Sequence, residues 1–322
     1  VQPSAVLPVV FDVLPRVARI SLYIAVGVFA ANLVVSLGLV ERIAGLSRYL
    51  TGPANLPDEV GTAIVTTAAS TTAGYGMLAE FRESGALDDR ETLIAVTINT
   101  FFGFVQHIFT FYWPVLIPIL GMEVGLLYVG ARAAIALAIT VTGVAAGALL
   151  LSDRAGSATA SVETDGAGDD DNDQTKSELV EEAARKTWDK LRRLVPRLAV
   201  VYVLVTLLVR TTDLDALTAF ADPLATLVGL PGAAVPVIAV FAFDTTAGAA
   251  TIAPLVGETF TPTQAVATML LGGIVSFTVS TFKRSIPFQY GIWGPSFGSK
   301  VILVNTSLKI VFIALAVALL VA

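Results

Sequence analysis

The chain has no cysteine, a single histidine and few charges: of 322 residues, only 14% are Asp, Glu, Lys or Arg. Without cysteine, disulfides, thiolate metal centres and cysteine nucleophiles are excluded. One histidine is too few for the multi-histidine ligand sets of zinc enzymes. A water-facing globular surface carries about a quarter charged residues, so the low charge argues against one. Also missing are the GxxxxGK[ST] phosphate loop, the HExxH helix, the GxSxG elbow and a basic domain with interleaved aromatics. The reading is therefore of a protein that is not an enzyme, with no cofactor, no metal and no nucleic-acid partner. Any transport it performs would draw on a gradient or on a separate partner.

What is present is apolar length. Hydrophobic residues make up 55% of the chain. The uncharged runs Ile20 to Val40, Ala133 to Ser152, Pro223 to Phe243 and Thr259 to Phe282 each approach or exceed the roughly 20 residues a helix needs to cross hydrocarbon. Thr92 to Met122 is longer and carries only His107. Barrel strands would be about 10 residues long and alternating, so helices are expected. The first run, after Arg16 and Arg19, is expected to be a retained helix rather than a signal peptide.

The organisation reads as two halves and a linker: 10–151, 152–190 and 191–322. The linker "SDRAGSATASVETDGAGDDDNDQTKSELVEEAARKTWDK" is acidic and rich in Gly, Ser and Asp, with a Glu/Ala/Lys-rich end that suits a short helix. Across it the halves align. "LPDEVGTAIVTTAASTTAG" at 56–74 matches "LPGAAVPVIAVFAFDTTAG" at 230–248 at a constant offset of 174. The register then slips by one, setting Phe104, Phe109, Pro114 and Gly121 opposite Phe277, Phe282, Pro287 and Gly294. "LPRVARI" at 14–20 matches "VPRLAVV" at 195–201. Such repeats are a signature of secondary transporters.

Each half reads as a crossing helix (16–40; 194–214), an interrupted element (54–85; 220–260), a long kinked helix (92–118; 263–289) and a last helix (124–151; 299–322). The fold class expected is an all-α polytopic membrane protein of two repeats, inverted, each with about three transmembrane helices. The interrupted element would be either a re-entrant hairpin or one broken crossing helix. With three crossings per half and Arg185, Lys186, Lys190, Arg192, Arg193 and Arg197 clustered before the second half, the linker is expected in the cytoplasm of a multi-pass cell-membrane protein.

The interrupted elements hold the candidate substrate or gating residues: Ser70, Thr71, Thr72 and Gly74 in one, Asp244, Thr245, Thr246 and Gly248 in the other. Backbone groups freed by a break are tolerable in hydrocarbon only where protein or a wet cavity satisfies them, so a polar break at depth suits a ligand site. The competing reading is tight helix packing through small residues. Asn99, Gln106 and His107 interrupt the long helix, and Asn99 and Gln106 lie about two turns apart on one face. Lys283, Arg284 and Lys309 are intramembrane cations, costly unless paired or functional. Asp244 and Glu258 are the available counter-charges, with Asp244 also a candidate proton-responsive carboxylate.

The duplicated pattern of apolar helix, Thr/Gly element and kinked helix resembles the "nucleoside recognition" or gate-domain membrane proteins. It is more distantly similar to the concentrative nucleoside transporters and the membrane part of the ferrous iron transporter. The acidic, cysteine-free composition resembles that of haloarchaeal proteins. The resemblance implies that "STTAG" and "DTTAG" contribute to a substrate or gating region. The chain lacks the Gln-Thr-Glu phrase of the nucleoside transporters and the membrane cysteines of the iron transporter, so no substrate is identified. The function expected is a transporter or gated pore for a small polar solute or ion, with a scaffold or lipid-handling protein as the alternatives. The partners implied are the bilayer, that solute, a coupling proton or sodium ion, and further copies of the chain.

Overall fold

The computed structural model describes residues 3–36, 48–151, 176–211, 225, 228–280 and 285–322. The chain order of helices among them is α1 (Pro3–Ser36), α2 (Arg48–Thr51), α3 (Asp58–Ala69), α4 (Thr71–Glu83), α5 (Asp89–Ile98), α6 (Thr100–His107), a π-helical segment (Ile108–Leu116), α7 (Ile117–Leu120), α8 (Met122–Leu150), α9 (Lys176–Thr211), α10 (Ala234–Phe243), α11 (Thr245–Ile252), α12 (Pro262–Ser280) and α13 (Ile286–Val321). Three stretches, Asp89–Leu120, Met122–Leu150 and Ile286–Val321, are long and apolar enough to cross a membrane. The fold is all-α, and the architecture is that of a multi-span helical membrane protein.

Each interrupted element is a pair of helices broken at one residue. Ser70 separates α3 from α4 at φ −145°, ψ 109°, and Asp244 separates α10 from α11 at φ −149°, ψ 115°. Both are N-caps. Ser70 Oγ accepts from the Ala73 N–H at 3.3 Å and Asp244 Oδ1 from the Ala247 N–H at 2.8 Å, each satisfying a donor that the new helix cannot pair internally. The Thr and Gly residues therefore belong to the first turn of the second helix, not to an unwound stretch between two helices. Loss of either cap, as in Ser70→Ala or Asp244→Ala, is expected to cost about 0.5–2 kcal/mol. Thermal melting in detergent checks this, with Asp244→Ser retaining most of the stability; an Ala variant that melts with the wild type would remove the caps from the account.

The helices on either side of each break fold back on one another. A Cβ added at Gly74 would stand 2.6 Å from the Ala63 carbonyl oxygen and 2.8 Å from the Thr67 nitrogen. One added at Gly248 would stand 2.6 Å from Phe241 Cα. Residues four positions after a break can touch residues three or seven before it only if the chain reverses. Of the two readings open for the element, these contacts fit a hairpin.

Aligned positions elsewhere also share unusual backbone. Asn55 (φ 54°) and Gly229 (φ 72°) occupy equivalent left-handed positions just before the hairpins. Gly121 (φ 82°, ψ 168°) and Gly294 (φ 73°, ψ 165°) break the chain just before the last apolar helix of each half, the second break lying inside α13. Positive φ is costly for side chains with a Cβ, so glycine at three of these four sites follows.

Some boundaries differ from expectation. The helical end of the linker and the first helix of the second half form one uninterrupted element, α9. Pairs one turn apart, Glu182 with Lys186 at 2.7 Å and Asp189 with Arg192 at 3.1 Å, support its polar start. The kink around Pro114 is a nine-residue π-helical segment, whose wider register accommodates a residue that cannot donate. Residues 152–175 and 281–284, including Lys283 and Arg284, lie outside the described residues.

Two buried apolar clusters hold the helices. One gathers α3 to α6 with Trp293, Phe297 and Val301 of α13. The other gathers α1, the π-helical segment, α7 to α12 and the end of α13. α13 thus joins both clusters, and within it Lys300 Nζ reaches Asp89 Oδ2 at 2.9 Å while Arg82 holds Asp89 Oδ1 at 2.7 Å.

Candidate functional site

Between the clusters lies a cavity of about 190 Å3. Its walls come from both halves: the first turn of α4 with Thr71 and Tyr75, the α5–α6 junction with Asn99 and Thr100, α8 with Arg132, and α13 with Asn305 and Lys309. Its apolar lining includes Ile135 and Ile139 of α8 and Ile313 of α13. α8 and the later part of α13 follow the matched glycine breaks, and Arg132 and Asn305 stand at the same offset as Gly121 and Gly294. Equivalent helices therefore face the cavity with polar residues at equivalent positions.

Hydrogen bonds fix much of the polar wall. Asn99 is 1% exposed, and its Nδ2 donates to Thr67 Oγ1 at 2.8 Å. The Thr67 hydroxyl in turn donates to the Ala63 carbonyl at 3.1 Å. The Asn99 amide is thereby oriented with its Oδ1 buried and unpartnered. Asn305 Oδ1 is likewise buried without a partner. Thr71 Oγ1 donates to Gln106 Oε1 at 2.9 Å, so Asn99 and Gln106, two turns apart, both tie the long helix to the α3–α4 hairpin.

Arg132 and Lys309 give the cavity its charge. Arg132 Nε donates to Tyr112 Oη at 3.3 Å, and Lys309 Nζ lies 5.8 Å above the Phe277 ring. Both cations and His107 line the same cavity. Among the described residues neither cation has a carboxylate partner. A Lys or Arg at the centre of a membrane helix costs at least about 2.5–3.5 kcal/mol on insertion scales, so two lining one cavity with no described counter-charge are unusual. Among the described residues no group of three or more His, Asp or Glu side chains could hold a metal ion.

The sequence candidates distribute as follows. Thr71, Asn99, His107 and Lys309 line the cavity, and Gln106 is one hydrogen bond away. Ser70 caps α4, Thr72 is exposed and Gly74 packs the hairpin. Asp244, exposed, caps α11, and Thr245, Thr246 and Gly248 stand on that helix without lining the cavity. Lys309 pairs with neither Asp244 nor Glu258. Arg132, Tyr112 and Asn305 are additions. The signal for two of them was present: aligning the last helices sets Arg132 opposite Asn305, polar against polar in apolar runs.

The two hairpins differ at one layer. In the first, Thr67 bonds Asn99. At the aligned positions of the second stand Phe241 and Gly272, and a Cβ on Gly272 would come within 2.9 Å of the Phe241 side chain. A polar pair in one half is replaced by an aromatic ring and the space for it in the other.

No family model matches the chain, and no solved structure matches it. It is similar along nearly its whole length to uncharacterized protein MJ0880 of Methanocaldococcus jannaschii, 23% identical over 319 residues covering 97% of this chain and 99% of the relative. Uncharacterized protein MJ0871 of the same organism is 24% identical over 302 residues, covering 91% and 89%. A third, uncharacterized protein MJ1556, is 29% identical over 100 residues, about a third of each chain. The two longer similarities span both halves.

Proposed function

We propose that the protein carries a small polar solute or ion across the membrane, with the cavity between the halves as its binding site. The observation that carries this reading is the cavity itself: polar and charged side chains converge there from a half-helix start, a π-distorted helix and two equivalent apolar helices. Broken helices and buried polar groups around a central cavity are how transporters without an ATPase hold their solute. The proposal includes two inverted, gate-like repeats of three crossings each, with residues 152–190 cytoplasmic. The matched hairpins, caps and glycine breaks support the repeats, and the basic residues of α9 support the orientation. Coupling to a proton or sodium gradient completes the proposal.

The test uses the absence of cysteine, which lets single thiols be introduced without background. Cysteine at Thr71, Ile139 or Asn305 in protein reconstituted into liposomes is expected to react with membrane-impermeant thiol reagents from either side, as the cavity opens to each in turn. Thiols that react from neither side would mean a dry contact and favour the scaffold reading. The lipid-handling reading would need a lateral opening lined by Phe101, Phe102, Phe104 and Phe109; of these, Phe102 and Phe104 are buried, whereas Phe101 and Phe109 are half-buried.

A further inference from the structure

The charge and hydrogen-bonding pattern of the cavity specifies a ligand class. We infer that the cavity binds a small oxyanion carrying its own O–H or N–H donor, such as hydrogen phosphate, a small phosphomonoester or a short hydroxycarboxylate. This rests on the reading of the cavity as a solute site and names the solute.

Three observations converge. First, Arg132 and Lys309 face the cavity with no carboxylate partner among the described residues, and an anion between them would supply the missing charge. Arg132 donates its Nε to Tyr112, and among the described residues its terminal nitrogens, a planar fork that suits carboxylate or phosphate oxygens, have no hydrogen-bond acceptor. One of these, Nη1, lies beside Gly273 of α12, 3.8 Å from the place a Cβ there would take.

Second, Asn99 Oδ1 is a buried acceptor without a donor, held in that sense by the Asn99, Thr67 and Ala63 relay. A simple anion with no hydrogens would leave it unsatisfied and would place like partial charges together. A ligand with an O–H or N–H opposite its charged end satisfies both walls. Asn305, on α13, lines the cavity with a second unpartnered acceptor.

Third, the volume of about 190 Å3 is below the roughly 300–1,000 Å3 of pockets that take drug-sized ligands. An ion with a few carbons suits a space of this size.

The experiment is binding of four probes to purified protein in detergent at constant ionic strength, by calorimetry and thermal shift. Lactate is compared with propionate and phosphate with sulfate at neutral pH, each pair separating an oxyanion with a donor from one without. Lactate or phosphate is expected to bind at least tenfold more tightly than its partner, about the worth of one buried hydrogen bond. Which pair responds distinguishes a carboxylate from a phosphate ligand. Arg132→Gln and Lys309→Met should each weaken binding at least tenfold while melting, without ligand, at or above the wild-type temperature, because each removes one of two half-buried cations that line the same cavity. That second readout separates loss of a ligand contact from loss of the fold.

No binding of any of the four anions, or binding that both variants leave unchanged, would overturn the assignment. Equal binding of lactate and propionate together with equal binding of phosphate and sulfate would overturn the role of Asn99. The transport reading fails separately: saturable binding without flux of the same anion into liposomes leaves the site standing and removes the carrier.

Discussion

Gly248→Leu is expected to abolish the native fold, whereas the chemically identical change Gly76→Leu is expected to be tolerated. Both glycines lie inside helices with ordinary helical backbone, one in α11 and one in α4. They differ in what faces them. A Cβ at Gly248 would stand 2.6 Å from Phe241 Cα, Cβ and Cδ2, while one at Gly76 meets nothing within 4 Å. Overpacking usually costs about 1–3 kcal/mol because side chains can shift. Opposite Gly248 the obstacle is partly backbone, so the α10–α11 hairpin itself must open and expose Phe241, Ala249 and Ala250, now at 2% or less. Against total stabilities of about 5–15 kcal/mol, that is a large fraction. At Gly76, replacing glycine within a helix removes an entropic cost of up to about 1 kcal/mol. Size-exclusion profiles and melting in detergent decide the matter: the hairpin account fails if the two variants behave alike.

Lys309→Glu is expected to eliminate anion binding and uptake altogether while raising the melting temperature of the ligand-free protein. The change sets a carboxylate opposite the Arg132 guanidinium inside the same cavity, where two cations now stand. At about 4 Å and an effective dielectric constant near 20, an attraction of roughly 4 kcal/mol becomes a repulsion of similar size for an incoming anion. Since about 1.4 kcal/mol is a factor of ten, binding should fall more than a hundredfold. The same substitution supplies a counter-charge that no described residue provides, hence the opposite sign of the stability change. Lys309→Arg, which keeps the charge, should retain binding. Uptake in liposomes and melting without ligand are measured on the same preparations. Retained uptake, or a lowered melting temperature of the kind any core lesion gives, would refute the role of Lys309 in the cavity.

The local parts of this architecture were legible in the sequence, and the lateral ones were not. The interruptions in the two elements were legible from their Thr/Gly phrases, whereas their placement at the single capping residues Ser70 and Asp244, with the Thr and Gly residues inside the next helix, came from the structure. The glycine pair at 121 and 294 is visible too, since positive φ selects its residue locally. The long-helix candidates Asn99 and Gln106 were legible as one face, and both bond to the same hairpin. By contrast, nothing local to "ARAAIALAIT" says that Arg132 meets Tyr112 and faces Lys309, because that depends on how α8 packs against the π-helical segment and α13. Likewise the continuity of α9 through residue 190 was hidden by a change of composition. Hydropathy marks where a helix enters apolar surroundings, whereas its hydrogen bonds run on regardless.

The exchange of Thr67 and Asn99 for Phe241 and Gly272 has a consequence for the history of the chain. If the halves descend from one duplicated unit, the two hairpins began alike, and one of them traded a hydrogen-bonded pair for a ring and a hollow. Neither half of that trade stands by itself: the ring needs the hollow, and the lone amide needs its hydroxyl. Once both steps were taken, reversal one substitution at a time passes through a misfit, so the copies became committed to separate tasks. One hairpin keeps a polar layer against the long helix while the other keeps an apolar one.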